Sequence, residues 1–360
     1  MDDDKIYWLA LNKVPGVGPI LYGKLIAQFG GPKEVFAASG DRLREVEGIG
    51  EELVKRIKEG SVLEEGRREL MRAKELGMDI ITIREERYPS NLRQIPDPPP
   101  LLYVKGDLTE GDALAVAVVG SRRCSPYGRA FARKVSRELA SRGVTVVSGM
   151  ARGIDTEAHR GALEAGGRTI AVFGSGLDVI YPSENRGLFE EIWRNGAAVS
   201  EFPLSTPPER WNFPLRNRII SGLALGVVVV EASSRSGALI TASMALEQGR
   251  SVFAVPGYAG AVTSRGTHHL IKEGAKLIEG AEDILEEILP QYEGGKEKAP
   301  SGDLTREERK VLEVLEVGPM QIDEIARKVE MEVQKLASLL LEMELKGLVT
   351  QMPGKVFALA

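Results

Sequence analysis

Residues 113–149 read ALAVAVVGSRRCSPYGRAFARKVSRELASRGVTVVSG. An unbroken apolar run, Ala113–Val119, stops at Gly120. A helix-compatible stretch then opens at Ser125-Pro126, and a second apolar run stops at Ser148-Gly149. A run without polar alternation suits a strand covered on both faces, as in a parallel sheet. Ser125 is placed to cap a helix, with Pro126 at its first position. Strand, helix and strand in this order predict a βαβ unit.

The rhythm continues down the chain. "TIAVFGSG", "AAVSEF", "VVVVEA", "SVFAVPG" and "AKLI" read as strands. They alternate with the helices "DTEAHRGALEAG", "SENRGLFEEIWRNG", "PLRNRIISGLALG", "ALITASMALEQG", "THHLIKEG" and "AEDILEEIL". Strict alternation with short loops predicts an α/β fold, an open doubly wound parallel sheet. The domain is expected over 76–290. It begins with the strand "MDIITI" and a proline-rich extended connection, "YPSNLRQIPDPPPLLYVKG", because each proline biases its predecessor away from helix.

Residues 1–75 read as short helices. "VPGVGPILYGKLIAQFGG" and "VEGIGEELVKRIKEG" share a glycine turn followed by an amphipathic helix, the helix-hairpin-helix pattern. Such turns can offer amides to a DNA phosphate. Glu51 and Glu52 after the second turn would repel one, so a packing role is preferred. Residues 291–303 are a polar linker containing glycine and proline. Residues 304–360 read as three helices and a short hairpin, the winged-helix order. The third helix sets Glu332, Glu342 and Glu344 against Lys335 and Lys346, a poor balance for a DNA-reading helix. Protein contact or a structural role stands beside duplex recognition there.

Composition narrows the classes. The 360 residues carry a net charge of −5. Residues 113–250, however, hold 17 Lys+Arg against 12 Asp+Glu, and Lys134 is the lone lysine among them. Arginine suits bidentate contact with phosphate. No run approaches the ~20 apolar residues of a membrane span. The opening, "MDDDKIYWLALNKVPG", has no basic n-region and is not read as a signal peptide. A single cysteine, Cys124, allows no internal disulfide and points to a reducing cytoplasm; it reads as a small packing residue.

In a doubly wound sheet, ligands bind beyond the carboxyl ends of the strands. Those ends carry Gly120-Ser121-Arg122, Ser148-Gly149, Gly174-Ser175-Gly176, Ser200-Glu201, Glu231 and Pro256-Gly257. Glycine lets a ligand approach the backbone, and serine adds a hydroxyl. Ser236-Gly237 opens another helix, whose amides form a phosphate site. Arg216 and Arg218 lie two residues apart, about 200° around a helix, so one pocket cannot take both. Arg216 and Asn217 are assigned to the ligand. Arg218 is assigned to an internal carboxylate, Glu201 or Glu231. Arg168, at the entry to its strand, is expected at the opposite end of the sheet unless its loop wraps.

The chain has no phosphate-binding loop of the ATPase type, no ordinary dinucleotide fingerprint and no nucleophile elbow. "GSGLDV" is a lone G-x-G. His159, His268 and His269 lack metal-ligand spacing. No catalytic residue, metal or cofactor is therefore expected. Phosphate-binding parts without catalytic parts suit a polyanion that is held and not transformed. Phe213, Trp211, Tyr127 and Tyr181 near the strand ends could stack bases of a single strand.

The motifs "VVGSRRCSPYG", "VSGMARGIDTEAHRGALEAGGRTIAVFGSGLDVIYPSEN", "SEFPLSTPPERWNFPLRNRIISGLALGVVVVEASSRSGALITASMALEQGRSVFAVPG" and "SRGTHHLIKEGAKLI" resemble the DNA-processing protein A family, over about 80–290. The resemblance implies an extended Rossmann-like domain that binds single-stranded DNA and forms a homodimer. It implies loading of the RecA recombinase onto strands coated by single-strand-binding protein, in natural transformation and homologous recombination, without enzymatic activity. The family's G-[ST]-R motif matches Gly120, Ser121 and Arg122. Its F-P-x-R-N-R matches Phe213 to Arg218, its S-G-[SA]-L-I-T matches Ser236 to Thr241, and its basic residue before T-I-A-V matches Arg168. Three alternatives remain, and one of them, a purely structural scaffold, leaves the strand-end pattern unexplained. A Rossmann-like hydrolase of a nucleoside monophosphate would need a glutamate that "EASSRSGALIT" lacks at the required offset. A transcription regulator would read duplex DNA with the winged domain.

Overall fold

The computed structural model describes residues 2–295, 305–315, 318–329, 331–345, 348–352 and 354–359. Residues 1–294 form one compact unit and 295–360 a second.

In the first unit, six helices come first: α1 (Asp2–Lys13), α2 (Pro19–Phe29), α3 (Pro32–Ala37), α4 (Gly40–Arg44), α5 (Glu51–Lys58) and α6 (Ser61–Glu75). Then follow β1 (Asp79–Thr82), the one-turn α7 (Ser90–Arg93), β2 (Leu101–Gly106) and β3 (Ala115–Val119). The alternating series is α8 (Pro126–Ser141), β4 (Thr145–Ser148), α9 (Ile154–Glu164), β5 (Thr169–Val172), α10 (Arg186–Asn195), β6 (Ala197–Ser200), α11 (Asn212–Leu223), β7 (Gly226–Val229), α12 (Gly237–Glu247), β8 (Ser251–Ala254), α13 (Arg265–Lys272), β9 (Lys276–Leu277) and α14 (Ala281–Gly295).

The nine strands form one mixed sheet in the order β1-β2-β6-β5-β4-β3-β7-β8-β9. β3 to β9 run parallel, as the alternation predicts. β1 and β2 add an antiparallel edge, with Tyr103 of β2 opposite Ser200 of β6 and Ile80 of β1 opposite Tyr103. The proline-rich connection thus ends in a strand that the sequence reading takes only as extended chain. Its residues Leu101–Val104 are fully covered, which is why they pair.

Alternate residues of each strand feed opposite cores. Ala115, Ala117 and Val119 join a cluster with Ile219, Ile220 and Ala242 of α11 and α12. Val116 and Val118 join one with Val135, Leu139 and Ile284 of α8 and α14. Burial on both faces explains the run without polar alternation. The helical module shares a third core with Tyr103, Phe173, Phe189 and Leu204, so it packs directly on the sheet domain.

Helix α14 continues to Gly295 through Pro290, so the expected linker begins as helix. Its residues 296–303 lie outside the described residues. The second unit contains α15 (Arg306–Leu315), β10 (Met320–Gln321), α16 (Ile322–Val329), α17 (Val333–Leu345), β11 (Val349–Met352) and β12 (Val356–Leu359). Its three strands pair in the order β10-β12-β11, the winged-helix arrangement. Leu336, Leu340 and Met343 of α17 lie in its core, which accounts for the apolar stripe of the third helix. Lys335 pairs with Glu307 at 2.6 Å, and Lys346 lies outside the described residues. Among the described residues, no helix is long and apolar enough to cross a membrane.

Candidate nucleic-acid interface

The chain leaves β3, builds β4, β5 and β6 to one side, and returns to place β7 on the other side of β3. Loops diverge at such a reversal and leave a crevice. A cleft of about 740 Å³ opens there. Its walls come from the end of β3, the amino ends of α11 and α12, and the loop before α11.

Gly120, Ser121 and Arg122 form the turn after β3. Ser121 N donates to the Glu231 carbonyl at 2.8 Å, and Ser121 Oγ accepts from Arg123 N at 3.1 Å. The turn nests against Gly153, whose φ is +80° and where a Cβ would stand 2.4 Å from the Ser121 carbonyl. A side chain there would push the turn off the sheet, so the glycine fixes the position of Arg122. The Arg122 guanidinium lies 5.0 Å from the centre of the Phe213 ring. It makes no ion pair among the described residues. A cation on a ring face keeps its hydrogen-bond donors for a ligand. Phe213 also contacts Tyr181, which is 45% exposed, with ring centres 5.8 Å apart.

Helix α12 turns its N-terminus to the cleft, with Ser236 as N-cap accepting from Ala238 N at 3.3 Å. Asn217 joins the two helices here. Its Nδ2 donates to the Gly237 carbonyl at 3.4 Å, and its Oδ1 accepts from Arg216 Nε at 3.3 Å.

Arg216, assigned to the ligand by the sequence reading, reaches the cleft only as a buried group. It is 3% exposed and forms the cleft floor. Its Nη1 donates to the carbonyl of Gly149 at 2.7 Å and to that of Val172, so the guanidinium ties the ends of β4 and β5 together. Beside it lies buried Asp155. Burial pushes this carboxyl up to about 6 against the pull of Arg216. Burial lowers Arg216 to about 10. Buried His159 is pushed down to about 3 by burial and by Arg216, so it stays neutral at physiological pH.

Three other expected residues lie elsewhere. The Ser148 hydroxyl is buried and donates to the Val118 carbonyl at 2.7 Å, so it never reaches the cleft. Gly149 lies beneath the floor and contributes the carbonyl that Arg216 holds. Arg168 sits where β5 begins, at the opposite end of the sheet, as chain order requires. Its Nε and Nη2 grip Asp112 at 2.9 and 2.8 Å, so the family motif does not bring it to this cleft. Arg218 grips Glu201 at 2.6 and 2.7 Å and Asp97 at 2.9 Å, an internal arrangement. Glu231 is not its partner, because that carboxylate accepts from Ser125 N and Oγ at 2.8 and 2.5 Å.

The sequence reading misses Arg210 and Asp155 as cleft residues. A signal for Arg210 existed in "PPERWNFP", where one cation stands between prolines and aromatics. Asp155 had none, because a charge at a helix start reads as a dipole complement.

Fold and cleft define a Rossmann-like α/β protein with a cationic, aromatic-lined site at its topological switch point. Within that class, the chain belongs to the DNA recombination-mediator protein A family, whose model matches residues 79–289. The DprA winged helix domain matches 295–355, and a SAM-like helix-hairpin-helix tandem matches 9–60. Protein Smf of Synechocystis is 35% identical over 98% of each chain. DNA processing protein DprA of Streptococcus pneumoniae is 48% identical, covering 58% of this chain and 73% of that one. The X-ray structure of the Streptococcus pneumoniae protein matches with a TM-score of 0.65 at 38% identity, covering 79% of this chain and 97% of that one. DNA processing protein A of Helicobacter pylori, studied for its single-stranded DNA binding mode, matches at 0.53 and 31% identity, covering 59% and 96%.

Proposed function

We propose that this protein binds single-stranded DNA in the switch-point cleft and, as a homodimer, loads the RecA recombinase in natural transformation and homologous recombination. Single-strand-binding protein is a further partner in this reading, and no bond in the DNA is made or broken. The observation that carries it is Arg122, a cation stacked on Phe213 and without an ion pair among the described residues. It stands beside the open N-terminus of α12. A phosphate between them would meet a guanidinium and helix amides. Tyr181 would offer a face for an unstacked base. The single-strand binding of the Helicobacter pylori relative supports the same choice of ligand. The hydrolase alternative lacks support, because Glu231 faces Ser125 and α8 instead of the cleft.

The test is fluorescence anisotropy with labelled oligo-dT and the matching duplex at two salt concentrations. Preference for the single strand, with affinity falling steeply with salt, is expected. Arg122→Ala should weaken binding roughly tenfold and reduce the salt slope by about 0.7. Preference for duplex, or an unchanged slope in the variant, overturns the cleft assignment.

A further inference from the structure

The loop 201–211 carries the cleft wall residues Pro208 and Arg210, yet few of its anchors lie at the cleft. They lie on its far side, against the helical module. Leu204 N donates to Glu69 Oε1 of α6 at 2.7 Å. The same buried carboxylate accepts from Tyr103 OH at 2.9 Å and Lys13 Nζ at 2.9 Å. One residue on, Ser205 adopts φ +63°, an uncommon geometry for a residue with a side chain. Its N donates to Asp178 Oδ1 at 2.7 Å and its Oγ to Asp178 Oδ2 at 3.2 Å. Asp178 also accepts from Arg72 Nη2 of α6 at 2.8 Å.

These contacts explain the "GSGLDV" motif, which binds no nucleotide in the proposed function. A Cβ at Gly176 would stand 2.6 Å from the Pro203 carbonyl and 2.9 Å from Ser205 N. Gly176 N donates to the Thr206 carbonyl at 3.0 Å. The glycine lets the loop lie flat on the motif, and Asp178 fastens it there. From Thr206 the chain passes to Arg210 and on to Phe213.

We infer that Asp178, with Glu69 and Arg72 of the helical module, is a latch that positions Arg210 and the loop 203–211 for the ligand. The module thus acts on binding through this loop without touching DNA. Strained Ser205 is stable only while its surroundings over-determine it. Without the latch the loop samples open forms, and only the fraction with Arg210 in place is competent to bind. This inference rests on the cleft as the DNA site.

The test is a double-mutant cycle on oligo-dT affinity with Asp178→Ala and Arg210→Ala, in the full chain. Asp178→Ala should weaken binding roughly tenfold, as expected for lost hydrogen bonds to a charged group. In the Arg210→Ala background the same substitution should have little further effect, because both act through one element. A residue that merely stabilises the fold would give additive losses, and additivity overturns the latch. Trypsin cleavage after Arg210 gives a readout independent of DNA. It should quicken in Asp178→Ala and, less so, in Arg72→Ala; unchanged cleavage in both overturns the latch. If Asp178→Ala does not fold, Arg72→Ala carries the cycle, since its side chain is half exposed. If Arg122→Ala leaves binding unaltered, the cleft reading fails and the inference about DNA fails with it. If Arg122→Ala weakens binding and Asp178→Ala does not, only the latch is lost.

Discussion

Helices α8 and α12 start alike and end up with opposite roles. Each follows a strand end, and each has a serine N-cap, Ser125 and Ser236. At α8, the Glu231 carboxylate occupies the terminus, accepting from Ser125 N and Oγ. Its bulk fills the space beside Gly128, where a Cβ would stand 2.6 Å from Glu231 Cδ. At α12 no carboxylate among the described residues takes that place, and the terminus opens on the cleft with Arg122 and Arg216 nearby. The caps are equivalent locally. What decides between a closed terminus and an anion site is one residue, Glu231, 106 positions from the helix it closes.

Removing that residue should make α8 resemble α12. Glu231→Ala is expected to lose about 2 kcal/mol of stability, since half-buried donors at the helix start lose a charged acceptor. Inorganic phosphate should recover part of the loss, raising the Tm of the variant more than that of the parent in thermal denaturation. Equal shifts would mean that the terminus stays closed without Glu231.

A smaller effect should come from Asp155, the one carboxylate among the described residues that lines the open site. Its folded value, about 6, lies above the ordinary 3.8, so the folded chain holds this proton more tightly than the unfolded chain. The stability it contributes is therefore full below about pH 4 and is lost as pH rises through about 6. A phosphate in the cleft would raise the value further, so DNA binding should take up a proton. Oligo-dT affinity is expected to increase as pH falls from 7.5 to 6, and Asp155→Asn should flatten that profile. His159, held neutral by burial, adds nothing in this range. A profile as steep in Asp155→Asn as in the parent would assign the proton elsewhere.

The smallest effect on binding is expected at Arg168, at the far end of the sheet. Arg168→Ala should cost about 1 kcal/mol in denaturant unfolding by leaving Asp112 short of a partner. Its oligo-dT affinity and salt slope should match the parent. A reduced slope would bring Arg168 back to the DNA.

The parallel part of the sheet was legible because burial on both faces leaves a sequence mark, the apolar run of Ala113–Val119. Strand β2 was hidden because the prolines before it announce extended chain but not a partner, and its partner β6 lies some 95 residues on. Arg218 was legible from helix angle alone, which separates it from Arg216. The depth of Arg216 was not, because angle around a helix says nothing of what packs above it. Chain order placed Arg168 correctly at the far end, and motif matching did not. Ser148 misled because a strand-end hydroxyl can point along the sheet to a neighbouring carbonyl as readily as out of it.

An exposed aromatic on the loop that bears Arg210 also gives the protein its own optical probe. Of the three tryptophans, Trp8 is buried and Trp193 is partly covered, under Lys105 and Arg194. Trp211, next in sequence to the cleft residue Arg210, is 66% exposed. A collisional quencher such as iodide should therefore report mainly on this one indole. Shielding of its emission by an unlabelled strand would follow occupancy of the cleft in the unmodified chain, in real time and without a fluorophore on the DNA.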